Sequence, residues 1–314
     1  MNRKITLTGA NIVFLVFTLA FIAYQLVGTV LFGVEVFTDN IYLMLLVNEL
    51  ILILGPVLIY AAIKKVNLKE TFRFNKPGVL PVVLIIVISF FAYLVAAMLN
   101  NTLAYFLQFI GNIPTQSIPI PGNTGELLLG LLMIAVLPGV CEEMLHRGLL
   151  LRAYEKRGSY KAVVITSIFF GLFHFDLTNL LGPIFLGLII GYYVIRTNSI
   201  FAGMLAHFLN NAIAELSQYF LGDKTQPKYV TVSSEELIQL LILGFAGLVV
   251  VGLLLYAFKR VTEGRAVIIP PISSVWKDFK SVFSHWPIII IVILYFLMQI
   301  IFLLSIVMLK VFNQ

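Results

Sequence analysis

Residues 125–151 read GELLLGLLMIAVLPGVCEEMLHRGLLL, an apolar run with two acids, an imidazole and a guanidinium in its second half. Coiled as a helix rising about 1.5 Å per residue, it outspans the roughly 30 Å hydrocarbon layer of a bilayer. A charged side chain at the centre of such a helix costs about 2.5–3.5 kcal/mol on insertion scales. Glu142, Glu143, His146 and Arg147 must therefore face protein or trapped water and not lipid. This one stretch predicts both a membrane span and a polar interior shared with other spans.

The rest of the chain supplies those spans. Of 314 residues, 60% are hydrophobic and 11% charged, with a mean hydropathy of +1.02, which excludes an ordinary soluble domain. Apolar runs lie near 10–33, 41–63, 79–99, 125–151, 162–175, 180–195, 199–219, 237–258 and 287–309. The expected fold is all-α, a polytopic bundle of about nine transmembrane helices around a polar intramembrane cavity. The fifth and sixth runs are short and separated by a brief break at Asp176, Thr178 and Asn179, which suits a tight helical hairpin or a re-entrant pair. No internal repeat, low-complexity tract or soluble domain is visible, and the first run is expected to stay as an uncleaved span.

Charge placement gives an expected orientation. With the N-terminus in the cytoplasm, 18 of the 21 Lys and Arg residues fall in inside segments, and Lys224, Lys228 and Lys310 fall outside. Nine spans would then put the C-terminus outside. Retention of positive loops beside anionic lipid accounts for the net charge of +6 without any nucleic-acid partner. Cys141 has no cysteine to pair with and sits beside two acids, so it reads as a small buried hydrophobe.

Polar residues inside the spans cluster between 142 and 215. Glu142 with His146, and Glu143 with Arg147, are four residues apart, so each acid lies one turn from a cationic partner. Arginine can fork onto a carboxylate, which makes Glu143–Arg147 the structural pair and leaves Glu142 as the adjustable acid. Pro138-Gly139 just upstream is expected to bend the helix, which would open room for a substrate or water or be a structural kink alone. His207, Asn211 and Glu215 form one stripe at four-residue steps, and Phe170 and His174 repeat that step. Counted from Lys156, Lys161 and Arg196, Glu142, His174 and His207 lie 14, 13 and 11 residues deep, or about 21, 20 and 17 Å, so all three can share one layer. Gly187 and Gly191 read as helix packing, and His285 as an interfacial residue beside Trp286. Glu49 beside Asn48 fits either a buried polar contact or a cavity lining.

This set carries both halves of a hydrolysis. Glu142 with His174 could activate water, while His207 and Asn211 could donate to an oxyanion. The order Glu142-Glu143-x-x-x-Arg147, Phe170-x-x-x-His174, His207-x-x-x-Asn211 resembles the CPBP family of intramembrane proteases, which takes in CAAX prenyl endopeptidases and bacterial Abi or bacteriocin-immunity-type proteins. The resemblance implies a catalytic core over 125–220 within a single integral membrane domain, 1–314, with flanking helices in 1–124 and 221–314. It implies Glu142 as the catalytic glutamate, His174 as its water-positioning partner, His207 and Asn211 as oxyanion stabilisers, and Glu143 and Arg147 as support. The implied substrate is a peptide or membrane protein met in the lipid bilayer. No cofactor is expected, because Asn211 is a poor zinc ligand and a good oxyanion donor. Zinc on Glu142, His174 and His207 stays open, since one Glu and two His is also a catalytic zinc set. The alternatives are a non-catalytic bacteriocin-immunity or peptide-binding protein using the same cavity, and a proton-coupled transporter.

Overall fold

The computed structural model describes residues 5–115, 119–222 and 227–312, with the backbone alone at residue 32 and residues 34–39. Arg3, Lys4 and Lys224 of the charge pattern lie outside the described residues. The described residues form ten helices in order: α1 (Leu7–Asp39), α2 (Ile41–Ile63), α3 (Val79–Ile110), α4 (Thr124–Arg157), α5 (Ser159–Phe173), α6 (Leu181–Thr197), α7 (Ile200–Leu221), α8 (Ser234–Val261), α9 (Val275–Phe283) and α10 (Trp286–Phe312). A single extra turn, Leu68–Thr71, follows α2. The described residues hold no strand beyond an isolated bridge between Pro114 and Tyr229.

Each of the nine expected spans is a helix. Six are long and apolar enough to cross a membrane: α1 over Leu7–Leu31, α2, α3, α4, α8 and α10. This is an integral, multi-pass membrane protein. The pair α5 and α6 has 15 and 17 residues, about 22 and 26 Å of helix, short of a full crossing. α7 reaches 22 residues but spends its length on the polar stripe. Helix α9 was not anticipated, because nine residues containing Lys277, Asp278 and Lys280 give no apolar run.

Two apolar clusters tie the bundle together. One joins α1, the second half of α4, α5 and the start of α10; the other joins α3, α6, α7 and α8. Gly187 and Gly191 let α6 lie close on α5, since a Cβ on either would fall 3.0 Å from Ser167 or Val163. The bundle is not uniformly α-helical. Val47–Leu54 in α2 and Leu131–Val136 and Met144–Leu150 in α4 are π-helical, the wider winding that often marks functional positions.

The basic end of the bundle is sewn by ion pairs. Arg73 Nη2 donates to both oxygens of Glu155 at 2.6 and 2.7 Å, and Arg152 and Ser159 complete the set at 3.1 and 3.2 Å. Asp278 of α9 accepts from Arg157, Lys161 and Ser273, each at 2.6 Å. Burial alone would raise the Asp278 carboxyl, but these donors and the Lys161 charge hold it down at about 2. His285 does more than sit at an interface. Asn11 Nδ2 donates to its Nδ1 at 3.0 Å, and Tyr154 donates to Asn11 Oδ1 at 2.9 Å, linking the turn before α10 to α1 and α4.

Candidate active site

Between the helices lies a cavity of about 520 Å³. Glu142 from α4, His174 from the end of α5, and His207 and Asn211 from α7 all line it. Glu142 sits between the two π-helical turns of α4 and is only 7% exposed. Its Oε2 has no hydrogen-bond partner and lies 4.0 Å from His207 Nε2.

Glu143, one residue on, turns away from the cavity and organises its wall. Its Oε1 accepts from Arg147 Nη1 at 2.8 Å and from His207 Nδ1 at 3.0 Å. Arg147 also donates to the Gly187 carbonyl at 3.2 Å and stands 4.5 Å over the Phe170 ring. A Cβ at Gly203 would fall 2.9 Å from Glu143 Oε2, so glycine there leaves room for the acid where α7 crosses α4.

The Glu142–His146 pairing offered by the four-residue spacing does not form. His146 is enclosed edge-on by Phe14, Phe170 and Phe173, at centroid distances of 6.0, 5.0 and 4.8 Å, and neither ring nitrogen has a partner. Aromatic packing against α1 and α5 takes this imidazole out of the polar set.

Both remaining imidazoles have a fixed tautomer. His174 Nδ1 lies 2.8 Å from the Phe170 carbonyl, which can only accept, so Nδ1 carries the proton. His207 Nδ1 likewise faces a carboxylate and donates to it. Each ring therefore turns its Nε2 to the cavity, as an acceptor when that nitrogen is bare and as a donor when it carries a second proton.

Pro138 acts through Asn211. A proline lacks the N–H that would reach the carbonyl four residues back, here Ile134. Asn211 Nδ2 donates to that carbonyl at 2.9 Å, while Asn211 Oδ1 accepts from Asn210 at 3.1 Å. The other amide hydrogen of Asn211 is left for an occupant.

Glu49 and Glu215 also line the cavity, each 2% exposed. An acid inside an apolar run was the signal for both. Which way Glu49 faces depends on how the π-helical stretch of α2 packs against Leu137–Glu143, and that is a tertiary fact. Among the described residues no three His, Cys, Asp or Glu side chains group closely enough to hold a metal ion.

The family model described as Type II CAAX prenyl endopeptidase Rce1-like matches residues 124–213. A protein of Bacillus subtilis (strain 168) named "Putative membrane peptidase YdiL" is 25% identical over 152 residues, which cover 48% of this chain and 62% of that protein. No solved structure matches the chain. The matched segment holds all three motifs, so over residues 124–213 the chain is similar to the Rce1-like CAAX prenyl endopeptidases, in line with the CPBP resemblance of the motifs.

Proposed function

We propose that the protein is an intramembrane endopeptidase that hydrolyses a peptide bond with a water activated by Glu142. The observation carrying this reading is that an unpartnered, buried carboxylate shares one cavity with two imidazoles and a carboxamide from other helices. The Rce1-like match supports the reaction class.

In the proposed reaction Glu142 and the Nε2 lone pair of His174 hold a water. Its oxygen attacks the carbonyl carbon while one of its protons passes to Glu142. The oxyanion is received by the free amide hydrogen of Asn211 and by Nε2–H of His207 in its doubly protonated form. The C–N bond then breaks, Glu142 returns the proton to the leaving amine, and an acid and an amine depart. Glu143 and Arg147 touch no substrate; they hold His207 at its angle. No step runs through a metal.

Membranes prepared with and without the protein would be compared for precursors that accumulate uncleaved, and such a precursor would be offered to the purified enzyme. Cleavage by the parent and none by a folded Glu142→Ala variant is the expected result. Cleavage by that variant at the parental rate overturns the assignment.

A further inference from the structure

The cavity wall is chemically one-sided. Its buried polar atoms without a partner are Asn48 Oδ1, Glu49 Oε2, Glu142 Oε2, Asn210 Oδ1, Glu215 Oε1 and Gln218 Oε1, all of them oxygens. One amide hydrogen of Asn48 and one of Asn210 are used inside the wall, on Glu49 Oε1 at 3.3 Å and Asn211 Oδ1 at 3.1 Å, while the oxygens of both amides have no partner. Among the described residues no Lys, Arg or His pairs with Glu49 or Glu215. A buried acceptor without a donor costs about 1–3 kcal/mol, more when charged, so a wall of them calls for an occupant rich in N–H groups.

We propose that Glu49 and Glu215, with the neighbouring amide oxygens, form a subsite for an ammonium or guanidinium group. Three features favour an organic cation over a metal ion. Among the described residues no three His, Cys, Asp or Glu side chains group closely enough to hold a metal ion, and the acceptors are carried by separate helices, α2 and α7. An ammonium offers three donors and a guanidinium five, enough to serve spaced acceptors. The cavity of about 520 Å³ admits a side chain on its backbone. Glu49 lies outside the matched residues 124–213, and Glu215 lies two residues past their end on the helix that carries His207 and Asn211. As a specificity element it rests on the protease reading, and it then selects a substrate with a Lys, an Arg or a free amino terminus near the cleaved bond.

The test reads binding and not turnover, so it stands or falls apart from the protease assignment. Purified full-length protein in neutral detergent is unfolded by heat, at constant ionic strength, in the presence of butylguanidinium, butylammonium, tetramethylammonium, butanol or calcium. The first two are expected to raise the midpoint saturably, while tetramethylammonium, a cation without N–H groups, butanol and calcium are not. Glu49→Gln and Glu215→Gln are each expected to weaken butylguanidinium binding about tenfold, the scale of one charged hydrogen bond. If Glu49→Gln does not fold, Glu215→Gln carries the comparison. Equal stabilisation by tetramethylammonium or calcium, no stabilisation by butylguanidinium, or unchanged binding in the folded variants would overturn the proposal.

Discussion

The basic end of the bundle and the cavity at its centre treat buried acids in opposite ways. Glu155 has donors on both oxygens from Arg73 and Arg152, with Ser159 added, and Asp278 is held by Arg157, Lys161 and Ser273. In the cavity Glu49, Glu142 and Glu215 each keep a buried oxygen with no partner. Saturation locks an acid into architecture. Leaving it short keeps it available to whatever enters, and Glu143 marks the boundary between the two regimes: one oxygen is doubly held and the other is bare.

The comparison can be broken from either side. The largest effect is expected at Glu142, where Glu142→Gln keeps the shape and removes the base; cleavage of an identified substrate should fall about 10³-fold with the melting point unchanged. Arg147→Ala strands the Glu143 carboxylate in a buried site and should cost about 3–5 kcal/mol, seen as a lower midpoint in denaturant titration. At the basic end the effect depends on pH. The Asp278 carboxyl, ordinarily near 3.8, is held at about 2, so its contribution is full above pH 3.8 and is lost as pH falls through 2. Unfolding measured between pH 6 and pH 2, on the order of four units, should show this acid-sensitive step in the parent and lack it in Asp278→Asn. The smallest change is expected for His285→Ala, which removes the hydrogen bond from Asn11 and should cost about 1 kcal/mol by the same titration.

Much of this was legible before any coordinates. Nine apolar runs became nine helices because a bilayer imposes length and apolarity directly on sequence. The Glu143–Arg147 pair followed from its spacing, and the convergence of Glu142, His174 and His207 from counting rise against basic landmarks. What stayed hidden depends on partners distant in the chain. His146 had the spacing for Glu142 but met the aromatic rings of α1 and α5. The bend expected at Pro138 was really a question of who uses the Ile134 carbonyl, and the answer lies 77 residues away on α7. Helix α9 is too short and too charged to announce itself, and its place is fixed by cations from the α4–α5 turn.

Two stitches join α4 to α7, one from Glu143 to His207 and one from the Ile134 carbonyl to Asn211. Together they make those two rods a single mechanical part, in which the spacing of Glu142 on one from His207 and Asn211 on the other is fixed at two heights.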